Sequence, residues 1–175
     1  MPQQRNGFRT NDLIVYPTHG VGQIMSIEES EVAETKLELF VINFEKDRMT
    51  VRVPTAKSDQ VGMRKLSKAN VVRKAFAILK SSTKVERSSM WSRRIPEYED
   101  KIKSGNLVSI AEVARDLYRP QYGSANQPYI ERELYESALD RMAREIAAIQ
   151  KLDREGAVSK IEEILLSRTE HPAAA

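Results

Sequence analysis

The chain contains no cysteine and only two histidines, His19 and His171. Disulfides and thiolate metal sites are therefore excluded, and a histidine-rich zinc site is excluded with them. No apolar run approaches the roughly 18 residues that a membrane helix needs. The start, Met1-Pro2-Gln3-Gln4-Arg5-Asn6, lacks the apolar core of a signal peptide, so a cytoplasmic protein with no membrane association is expected. Catalytic signatures are missing too. Gly20-Val21-Gly22 lacks the later glycine and the helix start of a dinucleotide fingerprint, and there is no phosphate loop ending in Gly-Lys-Ser/Thr. His19 has no serine-centred elbow beside it and reads as a turn residue. Glu28-Glu29 and Glu162-Glu163 read as solvated faces. No catalytic residue, metal, cofactor or small-molecule substrate is expected, and an enzyme is unsupported.

What is present is a strong charge asymmetry. The 175 residues carry a net charge of only +3, yet residues 1–56 hold 6 Lys/Arg against 8 Asp/Glu, a net of −2. Residues 57–95 hold 11 against 2, a net of +9, and residues 96–175 hold 11 against 15, a net of −4. A basic block between two acidic ones is the footprint of a polyanion partner, because Lys and Arg release counterions condensed on a phosphate backbone. Inside that block sits the only tryptophan, Trp91, in Ser88-Ser89-Met90-Trp91-Ser92-Arg93-Arg94. Its ring fits two readings, a core anchor or a flat surface pressed against bases. The charge partition favours nucleic acid, with Arg93 and Arg94, and by charge alone Lys84 and Arg87, on phosphates.

The pattern changes character near residue 57. Before it, apolar runs at 13–16, 21–27, 37–44 and 49–53 read as strands, with a Pro17-Thr18-His19-Gly20 turn and a polar loop over 45–48. In the last run Met49, Val51 and Val53 face one way and Thr50 and Arg52 the other. A small bent sheet or open barrel is expected. After residue 66 the spacing is helical: Val72, Ala75, Phe76 and Leu79 share a face, leaving Lys74 and Lys80 for solvent or ligand. Pro96 is expected to open a short helix over 97–103. A further helix capped by Asn106 or Ser109 carries Leu107, Ile110, Ala111, Ala114, Leu117 and Tyr118. Pro128 opens the longest helix, with its stripe on Tyr135, Leu139, Met142, Ile146 and Ile149, and Glu155-Gly156 is expected to break it before a last helix carrying Val158, Ile161, Ile164 and Leu165. The fold class is α+β: a β module over 1–57 with a flexible tail at 1–8, a linker at 58–66, a compact all-α module over 67–170 and a tail at 171–175.

Four segments, in order and spacing, carry a family resemblance: Val15-Tyr16-Pro17-Thr18-His19-Gly20, Thr50-Val51-Arg52-Val53-Pro54, Trp91-Ser92-Arg93-Arg94 and Ala111-Glu112-Val113-Ala114-Arg115-Asp116-Leu117-Tyr118-Arg119. Together they resemble the CarD/CdnL family of bacterial transcription regulators over roughly residues 9 to 167. The resemblance implies that the first module is a Tudor-like RNA-polymerase-interacting domain docking on the polymerase β subunit, through Arg52 with Thr50 and Val32 nearby. It implies that the second contacts promoter DNA at the upstream edge of the transcription bubble, with Trp91 as a wedge and Arg93 and Arg94 on the backbone. A monomer that stabilises the open complex, with little base specificity and mostly as an activator, is expected. Two positions depart from the family pattern. Ile95-Pro96 follows the arginine pair where relatives can carry a further basic residue, and Glu28-Glu29-Ser30-Glu31 sits where some carry a basic polymerase contact. Two other readings use the same residues: a protein-only polymerase adaptor with Trp91 in its core, and an RNA- or ribosome-binding protein using the basic block.

Overall fold

A computed structural model of the chain describes residues 3–81, 91–118 and 128–170. It divides into two units, Met1–Leu66 and Ser67–Ala175.

The first unit is built on a five-stranded antiparallel sheet in the order β6-β5-β4-β3-β7. Its strands are β3 Leu13–Tyr16, β4 Gly20–Val32, β5 Thr35–Phe44, β6 Met49–Pro54 and β7 Arg64–Lys65. One face of the sheet buries Ile14, Ile24, Phe40, Ile42, Phe44 and Val53, joined by Phe8 and Met63. The bend expected from the sequence has a definite cause in β4. Its register against β5 shifts between Ile24 and Ser26, a bulge that leaves Met25 without a partner and 48% exposed, and an extra residue on one strand bends it. Gly22 packs where no larger residue fits, since a Cβ there would lie 2.6 Å from Phe44 Cε1. Gly20, at φ +82, makes the turn out of β3 in a backbone region that β-carbons disfavour.

Three expectations for this unit are corrected. Residues 4–9 are not a tail: β1 Gln4–Arg5 pairs with β2 Phe8–Arg9, and Asn6 donates to the Thr55 carbonyl. Nor are residues 58–66 a linker. Ser58 is fully buried and Met63 is 5% exposed, while β7 pairs Arg64 with Val15 and Lys65 with Ile14. Finally, β4 and β5 run well past the expected ends, to Val32 and from Thr35, as a two-stranded ribbon. Glu28, Glu29, Glu31, Glu34 and Lys36 on it are all exposed, so hydrophobic alternation could not betray it.

Among its described residues the second unit is helical: α1 Ala69–Lys80, α2 Trp91–Lys103, α3 Leu107–Leu117, α4 Tyr129–Gln150 and α5 Arg154–Glu170. The expected stripes converge on one core, with Val72, Ala75, Leu79, Leu107, Ile110, Ala114, Leu117, Leu139, Met142, Ile146, Ile161 and Leu165 all buried. Asn106 caps α3, its Oδ1 accepting from the amides of Val108 and Ser109. Two boundaries differ from expectation. Helix α2 spans Trp91–Lys103 and contains Pro96 as its sixth residue, past the four amides that lack intrahelical partners, so the helix forgoes one hydrogen bond there. The break after α4 falls at Lys151, which adopts the left-handed conformation with φ 56. Glu155-Gly156 instead lies in the first turn of α5, where Asp153 Oδ1 accepts from the Gly156 amide at 2.7 Å.

Candidate functional site

Of the candidate residues, Thr50 and Arg52 share a strand of the first unit, and Trp91, Arg93 and Arg94 share the start of a helix of the second. In the first, β6 pairs only with β5, so it is an edge of the sheet with backbone groups open on one side. Arg52 and Thr50 are exposed on its outward face, while Val51 and Val53 turn inward. Arg52 is not solitary. Its Nε lies 3.7 Å from Glu28 Oε2, the two side chains 56% and 51% exposed, an ion pair reaching across β5 from an edge strand to β4. Sequence reasoning missed this partner, because Glu28 and Arg52 sit on strands that are not neighbours. Val32 does not join Arg52 locally. It pairs with Thr35, whereas Arg52 pairs with Val41; at roughly 3.4 Å per residue the six intervening steps along β5 amount to about 20 Å. Val32 is 55% exposed at the ribbon tip, where Ala33 and Glu34 both take positive φ, 51 and 66, as a two-residue hairpin turn demands.

In the second unit the basic motif opens α2. Trp91, Ser92, Arg93 and Arg94 form its first turn, which holds no acid. A first turn points free amides outward and carries the positive end of the helix dipole, a setting that favours anions. The side chains of Trp91 and Arg93 lie outside the described residues, as do Lys84 and Arg87 entirely. Arg94 is half-buried, and its position has a structural basis. The guanidinium interacts with the Tyr98 hydroxyl one turn further on. Tyr98, 3% exposed, donates to Asp116 Oδ2 at 3.4 Å. Burial first, then the Asp116 charge, pushes the Tyr98 hydroxyl pKa up to about 12, with Arg94 opposing.

Asp116 ties this helix to its neighbours. Its carboxylate also accepts from Arg115 Nε at 2.9 Å, and Arg115 Nη1 donates to Ser81 Oγ at 3.1 Å. Arg168 of α5 donates to the Arg115 carbonyl at 2.9 Å. Ser81 closes α1 and Tyr98 lies midway along α2, so the same cluster ties the end of α1 to the middle of α2. Nothing in the sequence marked Asp116 as buried. Its signal was confined to its place in a family-like segment.

Among the described residues no group of three or more His, Asp or Glu could hold a metal ion, and no helix is long and apolar enough to cross a membrane.

Comparison with known proteins covers both units. Residues 8–67 match the CarD-like/TRCF RID domain family, and residues 74–162 match the CarD C-terminal domain family. The chain is 32% identical over 143 residues to YdeB of Bacillus subtilis (strain 168), which carries a transcription-factor name, covering 82% of this chain and 92% of that protein. Among solved structures it is similar to CdnLNt from Myxococcus xanthus, 34% identical, with a TM-score of 0.31, over 37% of this chain and 90% of the other. The 72-residue N-terminal domain of Myxococcus xanthus CarD, solved by solution NMR, is likewise 34% identical with a TM-score of 0.29, over 37% and 81%. Matched in both of its units by the family's domains, and across most of its length by YdeB, the chain belongs to the CarD/CdnL family of transcription regulators.

Proposed function

We propose that this regulator docks on the RNA polymerase β subunit through β6 and stabilises the promoter open complex through the start of α2. The observation that carries the reading is the exposed Arg52 on an open edge strand of a domain matched to the polymerase-interacting family. An edge strand accepts a partner strand by main-chain hydrogen bonds, and a guanidinium beside it can fork onto a carboxylate. Docking raises the effective concentration of the second unit at the promoter, so a weak DNA surface suffices. Trp91 then acts as a wedge at the upstream junction of duplex and melted DNA, with Arg93 and Arg94 on phosphates. Only the difference in its affinity for open and closed DNA shifts the equilibrium, and about 1.4 kcal/mol of difference lengthens the balance tenfold. Because the ring addresses shape and the arginines address charge, action at many promoters follows.

The test is open-complex lifetime on one promoter with wild type, Trp91→Ala and Arg52→Glu. Trp91→Ala is expected to keep polymerase binding and lose the lengthened lifetime, and Arg52→Glu to lose polymerase binding itself. A Trp91→Ala variant as active and as stable as wild type would remove the wedge from the mechanism.

A further inference from the structure

Helix α1 presents a second basic surface that the wedge and the arginine pair do not use. Its inner face, Val72, Ala75 and Leu79 with Val71, Phe76 and Ile78, is fixed in the helical core. Its outer arc carries Asn70, Arg73, Lys74, Ala77 and Lys80, all exposed. No acidic residue occurs between Asp59 and Glu86, while seven Lys and Arg do. Among the described residues, none of Lys68, Arg73, Lys74 and Lys80 forms an ion pair or a side-chain hydrogen bond, in contrast to the paired Arg115, Arg144 and Arg154. The helix also forgoes local stabilisation. Its N-cap is Lys68, without a side-chain cap, and its first turn holds no acid, although an acid there would favour the helix and a cation does not. A solvated helix face normally mixes its signs, as α4 does with Arg132, Glu133 and Glu136.

We infer that the outer face of α1 is a track for the phosphate backbone of double-stranded DNA. The composition selects this occupant. A single strand would need aromatic platforms for its bases, and the exposed arc has none. A protein interface would need a buried aromatic or apolar anchor, and lysine is depleted at such cores; here the residues between the cations are Asn70 and Ala77. A membrane surface would need apolar side chains to insert. What remains suits a duplex, whose backbone asks for charge and close approach. Arg73 and Lys80 lie seven residues apart, about 10.5 Å along the helix axis, which matches roughly three base-pair steps at 3.4 Å. The inference rests on the reading of the second unit as DNA-facing but uses none of the same side chains.

The test uses the full-length protein with two probes, a plain duplex and a promoter fork, each titrated from 50 to 200 mM salt. Each neutralised phosphate contributes about 0.9 to the slope of log affinity against log salt. The triple variant Arg73→Gln, Lys74→Gln, Lys80→Gln is expected to lower that slope by about 2.7 on both probes, removing roughly a 40-fold salt-dependent loss over this range, with thermal stability and polymerase binding unchanged. Trp91→Ala is expected to keep the slope and lose only the preference for the fork. A triple variant with the wild-type slope overturns the α1 track, whatever Trp91→Ala does. A triple variant that instead loses polymerase binding without DNA assigns the face to a protein and overturns it equally. A lowered slope with an unaltered fork preference in Trp91→Ala leaves the track standing and removes the wedge.

Discussion

The two units hold themselves together with different chemistry. The first buries three of the chain's four phenylalanines, Phe8, Phe40 and Phe44, and its buried polar side chains are the neutral Thr55 and Ser58. Phe8 meets Phe40 edge to face at 5.9 Å, and Tyr16 and His19 both pack on Phe44. The second relies on aliphatic side chains and alanine, and among its described residues it buries four carboxylates, Asp116, Glu131, Asp140 and Glu145. Asp140 is shared by Arg144 and Arg154, and Glu145 accepts from the Ser67 amide at 2.8 Å. Apolar packing tolerates small shifts of one helix against another; a buried carboxylate with directed donors does not, so it fixes which turn of one helix meets which turn of the next. The lesson is that the unit presenting an open edge is built around rings, and the unit holding α1 and α2 at set positions is built around charge.

Mutations that strike one chemistry at a time should separate the units. Phe40→Ala, at a fully buried position, is expected to cost about 4 kcal/mol, and hydrogen exchange should place the lost protection in β4 to β6. Asp116→Ala removes the carboxylate partner of Arg115 and of the Tyr98 hydroxyl and is expected to cost about 3 kcal/mol, with protection lost in α2 and α3. Loss spread evenly over both units in either variant would dissolve the contrast.

Alkaline titration sharpens it further. Because the Tyr98 pKa is raised from 10.0 to about 12 in the folded chain, its contribution is fully present below pH 10 and disappears as pH rises toward 12. Tyr135 is shifted in the same direction, chiefly by burial. Melting curves across that window should show the second unit weakening by on the order of 2 kcal/mol, and Tyr98→Phe should flatten the decline. The smallest effect is expected at the ribbon tip, where replacing Ala33-Glu34 by Asn-Gly removes two strained non-glycine positions and adds about 1 kcal/mol, read as a higher denaturant midpoint.

The helical unit was the more legible in the sequence. Its stripes, such as Val72, Ala75 and Leu79, are periodic because each helix has one buried face. The break at Lys151 was hidden because an ordinary lysine took the conformation usually given to glycine, while the nearby glycine joined a helix. In the sheet, the outward Arg52 followed from strict alternation over 49–53, while the edge position of β6 emerged only with the strand order. The first hairpin carries a local signal of its own: Asn6-Gly7 is the dipeptide that a two-residue turn prefers, with φ 52 and 84. The buried carboxylates were illegible for a physical reason. Asp140 reads like any surface acid until Arg154, fourteen residues on, folds back onto it.

The ion pair between Arg52 and Glu28 bears on how the proposed docking would feel to the regulator. Arg52 does not wait as a bare cation, so engaging a carboxylate on another protein exchanges one acid for another. Such a trade releases little net energy, and an exposed pair of this kind is worth well under about 1 kcal/mol. On that reading the native contact adds little beyond the hold of the strand edge, whereas Arg52→Glu breaks docking by setting a new acid against Glu28 and the partner's carboxylate. A factor joined in this way lets go readily.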